Sequence, residues 1–260
     1  MDSSYTIPND WERADERLAA LGESYDQTSA DAVVRLGLRR GWHCLEAGAG
    51  GGSFARRLCA QTLPGGRVLA VDADTRHLGD LPALGAEVAQ LDLVDGDVPQ
   101  NAFDLVHTRL VLLHIRERDR VLERLVRALR PGGVLLVEEH DVFGTLDELP
   151  GAYGQIWPLF RRVGEAGGLD ASWARRLPEL LAGHGLESVQ AHAEIPFFRG
   201  GTPLARVWNL TWLQNRPQLL EHGATEEQVD AARAELDDPA RWFYCPAMVR
   251  ASGRKPKEVS

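Results

Sequence analysis

Short apolar runs alternate with helix-like segments through the first half of the chain. Runs of strand length occupy residues 43–48, 66–74, 86–90, 102–108 and 134–140. The segment between Ser53 and Ala60 predicts a helix. A second helix is predicted over 118–130, because its apolar residues recur at helical spacing and share one face. The first half therefore predicts strands joined by helices.

The strand at 134–140 begins with four apolar residues and no alternation, as in a strand buried on both faces. Strands and helices in this order form a parallel sheet between two helical layers, and right-handed crossovers make it doubly wound. Two later runs, 186–198 and 241–253, predict strands that extend the same sheet. The predicted fold class is α/β, with a doubly wound, mostly parallel, seven-stranded sheet.

Helical patterns flank and interrupt this sheet. Residues 9–22 predict a helix ending at Gly22, and a second one begins at Thr28 or Ser29. Further helices are predicted within 150–183, within 203–222 and from the capping box Thr225–Gln228. We therefore expect an N-terminal helical lid (1–40) and a ligand-binding domain (41–260), with cap inserts at about 145–183 and 200–238.

Composition narrows the class of protein. The 260 residues carry a net charge of −9, which disfavours binding to nucleic acid or to an anionic membrane. No apolar run approaches the length that spans a bilayer, and the N-terminus lacks a secretory apolar core. The cysteines Cys44, Cys59 and Cys245 show no metal-ligand spacing and predict reduced thiols. These features predict a cytoplasmic protein.

A glycine-rich loop follows the first predicted strand, in the stretch LEAGAGGGSFARRL from Leu45 to Leu58. Such a loop lets backbone N–H groups and the helix N-terminus approach a ligand. Gly48 and Gly50 fit the dinucleotide pattern, but Ser53 stands where its third glycine would be. A tight structural turn is the alternative interpretation.

Three acids accompany the loop. Asp72 ends the second strand, where it could accept ribose hydroxyls, and Asp92 follows the third, where it could accept the adenine amine. Glu46 precedes the glycines and could face an ammonium. Acids without a basic partner suit a cationic ligand that carries no phosphate, which favours S-adenosylmethionine over a dinucleotide. Asp72 as a strand-end cap and Asp92 as a turn cap are the structural alternatives.

Several motifs, in this order and at these intervals, resemble those of class I S-adenosylmethionine-dependent methyltransferases. They are LEAGAGGG, VLAVDAD, Asp92-Leu93, FDLVHTRLVLLHI and LRPGGVLLVEEHD. The resemblance covers about residues 11–145 and is strongest to bacterial enzymes that methylate small molecules. It implies a Rossmann-like fold and S-adenosylmethionine as cofactor.

The resemblance also implies contacts. Glu46, Ala47, Gly48 and Gly50 would contact the methionine part of the cofactor, Asp72 and Ala73 the ribose, and Asp92 and Leu93 the adenine. His107 would complete this set, and the segment around Arg17 and Gln27 would line the cofactor's outer side.

Histidines cluster where the fourth and fifth strands end. His107 and His140 are the leading candidates for a general base, and His114 is the third. Two of them have an alternative interpretation: His107 could touch cofactor only, and His114 could be structural. A divalent ion held by His140, Asp141 and a neighbouring glutamate is the rival use, but adjacent strand residues point to opposite faces, so no metal is expected.

Tryptophans mark the predicted covering helices. Trp157, Trp208 and Trp212 are expected to form an aromatic wall for a flat or apolar substrate, with packing of the cap as the alternative. Trp173 is placed in the same helices.

These observations predict methyl transfer to a small-molecule acceptor, a specialised metabolite, by in-line displacement at oxygen, nitrogen or carbon. One rival keeps the cofactor but assists rearrangement or decarboxylation. Others are a nicotinamide-dependent oxidoreductase and a binding module without catalysis. The oligomeric state is left open, with a homodimer as one option.

Overall fold

A computed structural model describes residues 7–142 and 149–257. The helices are α1 (Ala14–Arg35), α2 (Ser53–Thr62), α3 (Arg118–Ala128), α4 (Gly151–Ala166), α5 (Leu177–Gly183), α6 (Pro203–Gln214), α7 (Arg216–Glu221) and α8 (Glu226–Asp237). The strands are β1 (His43–Ala47), β2 (Arg67–Asp72), β3 (Glu87–Gln90), β4 (Phe103–Arg109), β5 (Leu129–Asp141), β6 (Glu187–Glu194), β7 (Phe197–Arg199), β8 (Trp242–Tyr244) and β9 (Ala247–Arg254).

Seven strands form one sheet in the order β3-β2-β1-β4-β5-β9-β6. Strands β1 to β5 are parallel, and β9 runs antiparallel between β5 and β6. The chain order reverses between β1 and β4. In open α/β sheets this is where a crevice opens beyond the carboxyl ends of the strands. The predicted fold class is confirmed.

Both faces of the central strands of the sheet are buried. One face packs against α1 and α2 through a cluster that includes Phe54 and Leu58. The other packs against α3 and α5 and includes Trp173 and Leu177. Trp173 therefore belongs to the sheet core, and its assignment to the covering helices was wrong.

The remaining helices form a separate apolar cluster, here called the cap. It comprises α4, α6, α7, α8 and the β7–β8 pair, and it packs on α1 through Ala20 and Tyr25. The predicted capping box opens α8, where the Thr225 hydroxyl accepts from the Gln228 N–H. The division into a lid and a binding domain stays a prediction.

Local boundaries differ from the predictions, most clearly in two places. The N-terminal region is one continuous helix, because Gly22 serves close packing: a Cβ there would lie 2.6 Å from Ser53 Oγ. The two last predicted strands are each divided, at Pro196 and Pro246, because proline lacks the N–H that continues a ladder. The short strand after Pro196, β7, pairs with the short strand before Pro246, β8.

Candidate functional site

The glycine loop joins β1 to α2 at the crevice between β1 and β4. Gly48 and Gly50 adopt positive φ angles of 78° and 53°, which other residues rarely accept. A Cβ on Gly48 would lie 2.3 Å from Val111 Cγ2, so the loop needs glycine to pass the segment after β4. The glycines therefore shape a cradle for a ligand that approaches the backbone.

Asp72 stands at the end of β2 and faces this loop. Its carboxylate accepts hydrogen bonds from the N–H of Gly50 at 2.7 Å and of Asp74 at 3.0 Å. Burial raises its pKa, although these N–H donors oppose the shift. Asp72 thus caps the strand end and lines the cavity together with Ala73.

Asp92 and Leu93 follow β3 and form the far wall of the same space. Asp92 Oδ1 accepts from the Val94 N–H at 2.8 Å, so the turn-cap interpretation describes one oxygen correctly. Both residues also line the cavity.

One cavity of about 890 Å³ connects the glycine loop with the cap. Its volume lies in the upper part of the range of small-molecule and cofactor sites. Acids and glycines line one end. The other end is apolar and aromatic, and its lining includes Leu110, Leu113, His114, His140, Trp157, Phe160, Val207 and Trp208.

Basic groups also reach this cavity, which the sequence analysis did not anticipate beyond Arg17. Arg109 pairs with Asp26 at 2.7 Å, and Arg76 with Asp74 at 2.8 Å. These two positive charges are therefore compensated locally. The acids Glu46, Asp72 and Asp92 stay the characteristic polar groups of the glycine end.

His107 lies below the cavity rather than in its wall. It is fully buried, with Nδ1 2.6 Å from Glu46 Oε2 and Nε2 2.9 Å from Glu138 Oε2. Burial alone would lower the pKa of His107, but the two carboxylates outweigh it and raise that pKa to about 9. A ring whose nitrogens are both engaged cannot accept a proton from a bound molecule. The assignments of His107 as general base and as a direct cofactor contact are therefore corrected.

His140 ends β5 and faces the cap side of the cavity. Its Nε2 lies 3.1 Å from the Tyr25 hydroxyl, and its ring stacks on Trp208 with centroids 5.8 Å apart. Burial, reinforced by the charge of Arg250, lowers the pKa of His140 to about 3. The ring is therefore neutral at physiological pH.

His114 closes the 3₁₀ turn Leu112–His114 and also lines the cavity. Burial, reinforced by the nearby positive charges of Arg17 and Arg118, lowers its pKa to about 3. The structure thus brings two neutral imidazoles to the apolar end of the cavity.

Three other predicted contacts lie elsewhere. Gln27 is exposed and hydrogen-bonds to Asp31 at 3.0 Å, so it does not line the cavity. Ala47 is buried in the sheet core because it ends β1 with its side chain among apolar neighbours. Trp212 is fully buried within the cap, whereas Trp157 and Trp208 do reach the cavity.

Two of the acids considered for a metal are engaged by arginines. Asp141 pairs with Arg175, and Glu138 with Arg250. Within residues 7–142 and 149–257 no group of three His, Cys, Asp or Glu residues is placed to hold a metal ion.

Sequence reasoning missed Tyr25, which orients His140 from α1, and the loop residues Leu110 and Val111. Leu110 has a φ of 56°, unusual for leucine, and it lines the cavity. The spacing of Tyr25 within a helix carries no signal of this contact, since its partner is 115 residues away. The loop could have been found from its position directly after β4, at the carboxyl edge of the sheet.

The fold and this cavity fit a class of α/β enzymes that bind a nucleoside cofactor at the carboxyl ends of the strands. The glycine cradle and the acids Glu46, Asp72 and Asp92 in the cavity lining fit S-adenosylmethionine, since acids suit a ligand that carries ammonium and sulfonium charges. Residues 45–135 match the family described as a methyltransferase domain.

Comparisons with individual proteins give the same family and fold. The chain is 32% identical over 195 residues to methyltransferase str3 of Strobilurus tenacellus, covering 73% of this chain and 66% of that protein. Phosphoethanolamine N-methyltransferase 2 of Haemonchus contortus superposes with a TM-score of 0.64 at 17% identity, over 99% of this chain and 61% of that chain. The 4+2 cyclase SpnF superposes with a TM-score of 0.54 at 20% identity, over 89% and 81%.

Residues 45–135 therefore belong to a methyltransferase domain, and the relatives support a class I S-adenosylmethionine-dependent methyltransferase with S-adenosylmethionine as cofactor. The predictions of family and cofactor are confirmed, while the bacterial subgroup stays a prediction. The chain spans slightly under two thirds of the first curated relatives that it matches. No helix in the two described ranges has the length and apolarity to cross a membrane.

Proposed function

We propose that this protein transfers the methyl group of S-adenosylmethionine to a small-molecule acceptor, a specialised metabolite, bound at the cap end of the cavity. The observation that supports this most is the single cavity that joins the glycine loop to the aromatic cap. A cofactor at one end and an acceptor at the other would meet without crossing solvent. Alignment and exclusion of water are the main contributions that this reaction needs from a protein.

The glycine end would hold the cofactor. The cofactor supplies an activated methyl group on a sulfonium. Glu46 would accept from its ammonium, Asp72 from the ribose hydroxyls and Asp92 from the adenine amine. Asp72 already accepts two backbone N–H groups, so its carboxylate is fixed before a ligand arrives.

The cap end would hold the acceptor. Its walls are apolar and aromatic, with Trp157, Phe160 and Trp208 among them, which favours a flat or apolar molecule. Among the described residues, the histidines of the cavity lining are the neutral His114 and His140.

His140 is the proposed group that receives a proton from the acceptor. The Cys245 thiol donates to the Pro246 carbonyl at 3.4 Å, which leaves its sulfur to accept from the Tyr25 hydroxyl at 3.9 Å. Tyr25 oxygen would then accept from His140 Nε2–H, leaving Nδ1 as the acceptor nitrogen. Because its pKa is low, His140 suits an acceptor whose own proton is acidic.

A second candidate keeps the cofactor without transfer. The fold is shared with the cyclase SpnF, and a cavity with weakly basic histidines also suits a rearrangement assisted by bound charge. Product mass separates the two, since transfer adds one methylene unit to the acceptor.

The proposal is tested first by calorimetric titration with S-adenosylhomocysteine and, separately, with NAD. We expect the former to bind the wild type and Asp72→Ala to bind it about tenfold more weakly, through loss of a charged hydrogen-bond acceptor. Asp95→Ala, at an exposed carboxylate outside the cavity, is the matched control and keeps wild-type affinity.

An acceptor screen by mass then follows with S-adenosylmethionine. A gain of one methylene on an aromatic or apolar acceptor supports methyl transfer. Preference for NAD would contradict the cofactor site, and altered products without mass gain would favour the second candidate.

A further inference from the structure

His107 and Glu46 are neighbours across the centre of the sheet. They are register partners on the parallel strands β4 and β1, so their side chains share one face. His107 also reaches Glu138 on β5, with the distances given above. Carboxylates only accept hydrogen bonds, so a ring that donates to both must carry both protons. The arrangement places an imidazolium beneath the glycine loop.

Glu138 is in contact with a second cation besides this imidazolium. Glu138 is paired with Arg250 and accepts from the Ser29 hydroxyl at 2.5 Å, so its charge is compensated from β9 and α1. The hydrogen bond to His107, the charge of that ring and the charges of Arg109 and Arg250 outweigh burial and lower the pKa of Glu138 to about 2.

The remaining charged groups near the pair balance each other. Arg109 on β4 is bound to Asp26 on α1, and the two act on Glu46 in opposite directions. His107 is therefore the cation in direct contact with Glu46.

One carboxylate oxygen of Glu46 is bound to His107, which leaves the other available to a ligand in the cavity. Its hydrogen bonds among the described residues use Oε2 alone, and the residue is part of the cavity lining. Burial raises the pKa of Glu46, and His107 opposes that rise. Without the ring, burial would favour the neutral acid, which attracts an ammonium far less.

We propose that His107 is a positioning residue for the cofactor: it keeps Glu46 ionised and turns its free oxygen towards the ammonium of the cofactor's amino-acid part. This inference rests on the cofactor site of the proposed function, and it does not require methyl transfer. It gives the buried histidine a role that acts through Glu46 and without touching the ligand.

The test compares two ligands that differ in the amino-acid part. S-adenosylhomocysteine carries the ammonium, whereas 5′-methylthioadenosine keeps the adenosine and lacks it. We expect His107→Gln to weaken S-adenosylhomocysteine about 10- to 100-fold, the range for a hydrogen bond to a charged group, and to leave methylthioadenosine within about twofold. The double variant His107→Gln/Glu138→Gln gives the same pattern without an unpaired Glu138 charge.

Two further variants complete the design. Glu46→Gln is expected to reproduce the selective loss, and adding His107→Gln to it costs little more, because both remove one interaction. Thr108→Val is the matched control on the same strand: Thr108 is equally buried, and its hydroxyl has no hydrogen-bond partner in the described part of the chain. It leaves both affinities unchanged.

Equal weakening of both ligands in the folded double variant, or no weakening of either, would overturn the inference. A wild type that binds neither ligand would overturn the inference together with the cofactor site. Binding without any methylated product would count against the proposed transfer alone, because this comparison measures affinity only.

Discussion

Glu139 is a fully buried carboxyl group that holds the loop after β4. Its Oε1 accepts from the N–H of Leu112 at 2.7 Å and of Val111 at 3.1 Å, and these contacts fix the turn that carries His114. Its Oε2 has no hydrogen-bond partner within the described ranges. Burial outweighs the N–H donors and raises the pKa of Glu139 to about 8.

Glu139→Gln is the informative perturbation. Glutamine keeps an oxygen for the two backbone donors and cannot lose a proton, so it imitates the protonated acid. The pKa of Glu139 is higher in the folded protein than its ordinary value of 4.5. Its contribution to stability is therefore complete below pH 4.5 and is lost as the pH rises through about 8.

The size of the effect follows from the difference between the ordinary pKa of 4.5 and the pKa of about 8 in the folded protein. At about 1.4 kcal/mol for each pH unit, the wild type loses up to about 5 kcal/mol of unfolding free energy relative to the glutamine variant between pH 4.5 and 9. His107, whose pKa is also raised, loses stability at high pH in both proteins. The difference between the two proteins therefore isolates Glu139.

Urea unfolding at pH 5, 7 and 9 measures this difference. Glu165→Gln, at an exposed carboxylate on α4, is the control and should stay within about 0.5 kcal/mol of the wild type at each pH. A change of less than about 1 kcal/mol between pH 5 and pH 9 for Glu139→Gln would refute the argument from burial.

Gly48→Ala is expected to lower the free energy of unfolding by about 3 kcal/mol, because of its positive φ and the clash with Val111; urea unfolding measures it. Tyr25→Phe should lower kcat about tenfold with little change in acceptor KM, since it releases His140, and unchanged steady-state kinetics would contradict this. Trp212→Ala should cost about 3–5 kcal/mol of stability in urea while calorimetry finds the S-adenosylhomocysteine affinity of the folded protein within about twofold.

The cofactor end of the site could be predicted because its signals are local. Gly48, Gly50 and Asp72 are fixed by their places at strand ends, and the sheet brings those ends together. Asp92 illustrates both interpretations at once, since one oxygen caps a turn while the residue lines the cavity.

The different roles of the histidines could not be predicted from local signals. His107 and His140 both lie near strand ends rich in polar residues, yet His107 is enclosed by carboxylates and His140 stacks on Trp208. Which environment each meets depends on neighbours distant in the chain. Trp212 likewise shares a helix with Trp208 but turns into the cap.

The sequence by itself determined the order of elements, the parallel sheet and the cofactor loop, because hydrophobic periodicity and glycine placement act over a few residues. Only the tertiary structure decided which polar groups are charged, which face the cavity and which hold others in place. Those properties come from burial and from contacts between segments such as α1 and β5, where Tyr25 meets His140 and Ser29 meets Glu138. Desolvation and pairing are set by the assembled fold, so no local pattern encodes them.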